Sequence, residues 1–152
     1  MTVATDSRST VIPALRYRDA HAAIEWLKRA FGFTVQALHE GPGNTVAHAQ
    51  LVLSNSCGRG MIMLGSAVNE GEWAKQMVLP SAVGSRSTAS IALIVPDATE
   101  MYASALAAGA EIFMKLEEMP YGGKAFGCKD PEGHVWSIGE YDPWAHSLAA
   151  AG

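Results

Sequence analysis

The sequence predicts an α+β fold built from two β-α-β-β-β modules. Three observations carry this. The chain repeats itself, with Asp19 and Asp97 separated by 78 residues (97 − 19), Gly32 and Gly109 by 77, and Asn55/Asp130 and Gly58/Gly133 by 75. Slowly drifting offsets of this kind fit a duplication with small deletions. In each copy an alternating run breaks at an Asp-Ala pair and gives way to helical periodicity. Three further strand-like runs then follow, separated by Gly-, Pro- and Asn-rich turns.

Residues 1–10 are polar and read as a flexible tail. The first module spans 11–66. IPALRYRD opens it as a strand, and Asp19 is a good N-cap because a carboxylate accepts otherwise unpaired helix N–H groups. Ile24, Leu27 and Phe31 make the apolar stripe of the helix, and Gly32 suits the left-handed residue that ends it. FTVQALHE, TVAHAQLVL and GMIML follow as strands, with EGPGN and SNSCGRG as turns. Residues 67–88 form a linker, with a short helix expected around Trp73. The second module, 89–143, repeats the pattern: SIALIV, a helix capped by Asp97 and ended at Gly109, then EIFMKLEE, KAFGCK and HVWSIG, with turns at PYGG and DPEG. Residues 144–152 read as a C-terminal tail, and the two modules together form one domain.

The bulk numbers narrow the function. The chain has 152 residues, 49% apolar and 17% charged, with a net charge of −4. That supports a real core, and the lack of a basic stripe argues against nucleic acid. No apolar run nears the roughly 18 residues needed to span a bilayer, so no membrane partner is expected. Two distant cysteines and no CxxC pair fit a reduced, cytoplasmic protein. No Ser-His-Asp pattern, phosphate-cradling loop or dinucleotide fingerprint is present.

The stretches YRDAHAAIEWLKRAFGF, AHAQLVL, MIMLGS, VPDATEMYASALAAGAEI and MPYGGKAFGCKDPEGHVWSIGEYDP together resemble the vicinal oxygen chelate superfamily, the glyoxalase/bleomycin-resistance/dioxygenase group. The resemblance is nearest to its bleomycin-resistance-like and PhnB-like branch. It covers nearly everything from Val11 to Pro143, and it implies that the sheets of the two modules form a curved, mostly antiparallel cup with the helices outside, without fixing an activity. Metal-dependent members of that superfamily place histidines and glutamates on the first and last strand of each module. Carried over by spacing from Asp19, Asp97 and Asp130, those places hold Ile12, Ser90, Ser137 and either Ile62 or Met63. A divalent metal needs several converging lone-pair donors, which this set does not supply. The resemblance therefore implies the fold but not the usual metal, and no cofactor is expected.

Strand parity, two faces alternating residue by residue, supplies further candidates. In VAHAQLVL, Ala47, Ala49, Leu51 and Leu53 should face the helices, which turns His48 and Gln50 into the cup. Arg16 points the same way and is either a clamp for a carboxylate or phosphate or a surface arginine. Trp73 either lids the cup or packs the linker down, and Tyr121 can line the cup edge. Trp26, Trp136 and Cys128 read as core. His39, His21 and His146 carry no specific role, and His134 is expected to be solvated at its strand start.

The resemblance, with these residues beside it, implies the leading expectation: a metal-free homodimer that binds a small organic, aromatic or antibiotic-like molecule. The ligand-binding candidates are Ile12, Arg16, His48, Gln50, Met63, Trp73, Ser90, Tyr121 and Ser137. The alternative is a metal-dependent glyoxalase- or dioxygenase-type enzyme with an unconventional set such as His48, Gln50 and Glu140.

Overall fold

The computed structural model describes residues 8–68 and 70–145. Most of both predicted tails, His146 included, therefore lies outside the described residues.

The first module runs β1 (Ala14–Tyr17), α1 (Ala20–Phe31), β2 (Thr34–Glu40), β3 (Val46–Asn55) and β4 (Gly58–Ser66). The second runs β5 (Ser90–Ile94), α2 (Ala98–Ala107), β6 (Glu111–Glu118), β7 (Lys124–Lys129) and β8 (Val135–Gly139). Each module builds a four-stranded mixed sheet in the same order, β1-β4-β3-β2 and β5-β8-β7-β6. The first and last strands are parallel and the other pairs antiparallel. No ladder joins the two sheets among the described residues; β1 and β5 line the same cleft and form the seam between the modules.

The local chemistry explains the elements. Asp19 Oδ1 accepts from Ala22 N, and Asp97 Oδ1 from Glu100 N, each satisfying a helix-start N–H that has no partner within the helix. Gly32 ends α1 in the left-handed region at φ 80°, where a side chain would be strained. The connecting segment holds two short 3-10 turns, Trp73–Lys75 and Pro80–Val83.

One core serves both modules. Trp26, Phe31 and Phe33 from the first half pack with Trp136 from the second, with Phe31 and Trp136 ring centroids 5.0 Å apart. The helices touch across the same boundary: Trp26 Nε1 donates to Ala108 O at 2.8 Å, and Ser104 Oγ to Ala30 O at 2.7 Å.

Four expectations need correction. The turn after β3 is only Ser56–Cys57; the hairpin strands extend through Asn55 and from Gly58, so Arg59 and Gly60 belong to β4. Ala47 is exposed, and Val46 is buried in its place. The cause is a register shift between His39 and Glu40, which resets the alternation at that end of the strand. His134 is buried, not solvated, and lies just before β8. Its Nε2 pairs with Arg16 O at 2.8 Å and its ring meets Tyr17 edge-on, so the inter-module contact removes it from water. Finally, Trp73 does not pack the linker down: it is 76% exposed.

Candidate functional site at the module seam

The seam is held by a repeated device. Asp130 and Asn55, 75 residues apart, sit at equivalent hairpins. Each turns one side-chain oxygen onto the backbone N–H two residues on, Glu132 and Cys57 respectively. Each also reaches the first strand of the other module. Asp130 Oδ2 accepts the Tyr17 hydroxyl at 2.6 Å and Trp136 Nε1 at 3.1 Å, while Asn55 Nδ2 donates to Ile94 O at 3.1 Å. Glu132 adds a second tie, accepting from Arg18 N and Asp19 N. Burial and the adjacent Asp130 carboxylate hold the Tyr17 hydroxyl well above the usual tyrosine range.

Because β1 and β5 do not hydrogen-bond to each other, the seam stays open beside these ties. One opening is a cleft of about 740 Å³. Its walls are Ala14 and Arg16 from β1, Ser90 and Val135 from the second module, and Met77, Val78, Val83 and Arg86 from the connecting segment. That is the size range of small-molecule sites, with apolar walls and few polar groups. Arg16 is half-buried and uses Nη2 to hold Val68 O at 2.7 Å, which fixes the guanidinium and leaves its other donors available. Arg86 is exposed and has no hydrogen bond or ion pair among the described residues. Among the described residues no acidic side chain lines this cleft, so it carries positive charge within a chain whose net charge is −4.

The other sequence candidates fall in known places. Ala14 pairs with Met63, and Met63 with Gln50, so Arg16, Met63, His48 and Gln50 share one face of the first sheet. On that face His48 Nε2 meets Gln50 Oε1 at 3.0 Å, and Gln50 Nε2 donates to Gln36 Oε1 at 2.7 Å. Ala92 pairs with Ser137, so Ser90 and Ser137 share the corresponding face of the second sheet. The two pairings make Met63 the counterpart of Ser137, while Ile62 is buried in the core at 3% exposure. Ile12 lies before β1 and is half-buried. Tyr121 is exposed, with its ring against Tyr141. Of the nine candidates, the large cleft brings together Arg16 and Ser90.

The donor chemistry does not fit a divalent metal. Ile12, Met63, Ser90 and Ser137 supply neither imidazole nor carboxylate. No group of three or more His, Cys, Asp or Glu side chains suited to a metal occurs among the described residues. Glu140 is committed elsewhere: its oxygens accept Lys124 N and Ala98 N, both at 2.9 Å, and these bonds hold its carboxyl below the usual range. It is a cap for α2 and the neighbouring hairpin.

Sequence reasoning missed the connecting segment's share, above all Arg86. A signal was present. Arg8-Ser9-Thr10 recurs as Arg86-Ser87-Thr88 at the same separation of 78 that relates the two capping aspartates.

Two β-α-β-β-β modules that share one core and meet at an open seam define a class of proteins built by module duplication. The model of the Glyoxalase/Bleomycin resistance protein/Dioxygenase superfamily matches residues 10–138, and the chain belongs to that superfamily. It is 30% identical over 139 residues to an uncharacterized protein of Mycobacterium tuberculosis, covering 91% of this chain and 78% of the relative. Among solved structures it is similar to TioX from Micromonospora sp. ML1, at 28% identity and TM-score 0.62, over 88% of this chain and 99% of that one. A superfamily member from Sphaerobacter thermophilus shares the fold at 19% identity and TM-score 0.64, over 88% and 98% of the two chains. No helix among the described residues is long and apolar enough to cross a membrane.

Proposed function

We propose that this chain is a metal-independent binder of a small aromatic molecule carrying an acidic or other hydrogen-bond-accepting group. The cleft at the β1–β5 seam carries this reading: apolar walls around Arg16, Arg86 and Ser90, with no acidic side chain among the described residues that line it. Met77, Val78, Val83 and Val135 supply apolar contact area, Met77 adapting to irregular shapes. The arginines pair with a planar anionic group, and Ser90 donates or accepts one directional bond. The polar face of the first sheet, with His48, Gln50 and Met63, and Ser137 on the second sheet extend the surface a larger ligand would meet. The chain acts as a homodimer in this reading. Supporting it, the outer strands β2 and β6 leave Val35, Leu38 and Phe113 exposed at 39%, 42% and 55%, apolar surface that a second copy would cover.

The test is a thermal-shift screen of aromatic acids on chelator-treated protein. A ligand held at 100 times its dissociation constant stabilises by about 2.7 kcal/mol. Arg86→Ala and Arg16→Ala should each weaken a hit by about tenfold or more, and His21→Ala should leave it unchanged. His21 faces Glu40 at 3.7 Å, away from the seam. Hits that bind all three variants as the parent does would remove the cleft from consideration. Binding that appears only after a metal is added would refute the metal-independent reading. Sedimentation should give twice the chain mass; a monomer at micromolar concentration would overturn the dimer.

A further inference from the structure

The seam has a second opening, at its other end, and the duplication makes it the counterpart of the first. This cleft measures about 620 Å³. Where the first is walled by Pro13–Arg16, the second is walled by Ile91–Ile94, which occupy the same places 78 residues on. Where the first has Arg86 and Ser87, the second has Arg8 and Ser9, again at a separation of 78. At the hairpin ends the two clefts differ: the first has His134, buried and tied to Arg16 O, whereas the second has the exposed guanidinium of Arg59 at the start of β4.

The chemistry of the second cleft is distinct. Its floor is apolar, with Leu53, Met61, Ile62 and Phe33. Arg8 and Arg59 both line it, and neither has a hydrogen bond or ion pair among the described residues. Among the described residues the one carboxylate in the lining, Asp142, directs Oδ1 onto Trp144 N at 2.9 Å. Two guanidiniums against one carboxylate leave a net positive rim over an apolar floor. We propose that this cleft is a second ligand site, specific for an amphipathic organic anion: an apolar ring system bearing a carboxylate or sulfonate. The ring displaces water from the Leu53–Met61–Ile62 floor. The anionic group sits at the rim, where it forms charge-assisted bonds with Arg59 and Arg8. The chain then holds two non-identical sites, one per end of the seam, and this proposal does not depend on what the first cleft binds.

Cys57 gives a direct readout, because its exposed thiol lines this second cleft while Cys128 is fully buried. The experiment measures the rate at which a thiol reagent modifies Cys57 in the full chain, with 2-naphthoate as the probe and the neutral 2-naphthalenemethanol as control. Naphthoate should slow the modification saturably, and the neutral alcohol should need about tenfold or higher concentration. Arg59→Ala and Arg8→Ala should each weaken the protection by about tenfold, whereas Arg86→Ala in the other cleft should leave it unchanged. Three results would overturn the proposal: no protection at about 5 mM naphthoate, equal protection by acid and alcohol, or loss of protection in Arg86→Ala alone. Because both arginines are exposed and hold no partner among the described residues, their removal leaves the fold intact, which an unchanged melting temperature verifies.

Discussion

Asp130 shows how one side chain ties two modules. Its carboxylate is buried at 4% exposure yet accepts four bonds: from the backbone N–H groups of Glu132 and His134, the Tyr17 hydroxyl and the Trp136 indole. A buried carboxylate is tolerated only when so satisfied. Removing one donor leaves it under-satisfied, so Tyr17→Phe should cost about 1–3 kcal/mol in denaturant unfolding at pH 7. The same residue sets an alkaline limit. The folded Tyr17 pKa lies above its ordinary value of 10.0, so above pH 10 the unfolded chain loses a proton that the folded chain keeps. The Tyr17 contribution to stability is therefore full below pH 10 and falls as pH rises further. Cys128, pushed up from 9.0 to about 12 by burial and by Asp130, adds a similar loss beginning near pH 9. In Tyr17→Phe the slope of stability against pH between about 10 and 11 should be shallower than in the parent. An equal slope would show that Tyr17 does not titrate late in the folded state.

At the scale of elements, legibility followed the local rules. EIFMKLEE and KAFGCK are the strands β6 and β7 to the residue, because alternation and flanking turns both point the same way. Asp19 and Asp97 cap as their chemistry requires. Asp97→Ala should destabilise by about 0.5–2 kcal/mol and fray the start of α2, visible as faster amide exchange at Glu100; unchanged exchange there would contradict the cap. What was not legible came from long-range partners. His134 looks like an exposed strand end until β1 of the other module supplies Arg16 O and the Tyr17 ring. Ala47 and Val46 exchange faces because of a shift in the β2–β3 register that no composition signal announces. Glu140 looks like a spare donor until two backbone N–H groups, one on another element, claim it.

At the scale of the whole molecule, the duplication was legible and the seam was not. Repeat offsets place equivalent residues on equivalent strands, but they do not say whether β1 and β5 join, and it is their separation that opens the clefts. The shared core is equally non-local, since Trp26, Phe31 and Phe33 are covered by the other half. Residues 8–68 produced alone should therefore show no cooperative thermal transition as a monomer. A monomeric first module with a sharp transition would mean that the modules are independent domains. The candidate site was legible in part. Arg16 and Ser90 meet in the large cleft, whereas Met77, Val83 and Arg86 come from a segment that reads only as a linker.

A small molecule bound at the β1–β5 seam without a metal would shield the walls of that cleft. The decisive measurement is hydrogen–deuterium exchange of chelator-treated protein, with and without a saturating aromatic acid from the thermal-shift screen. Exchange should slow at the walls of the large cleft, in residues 13–16 and 76–91. Protection confined to other segments, or none until a divalent metal is restored, would contradict metal-independent binding at the seam.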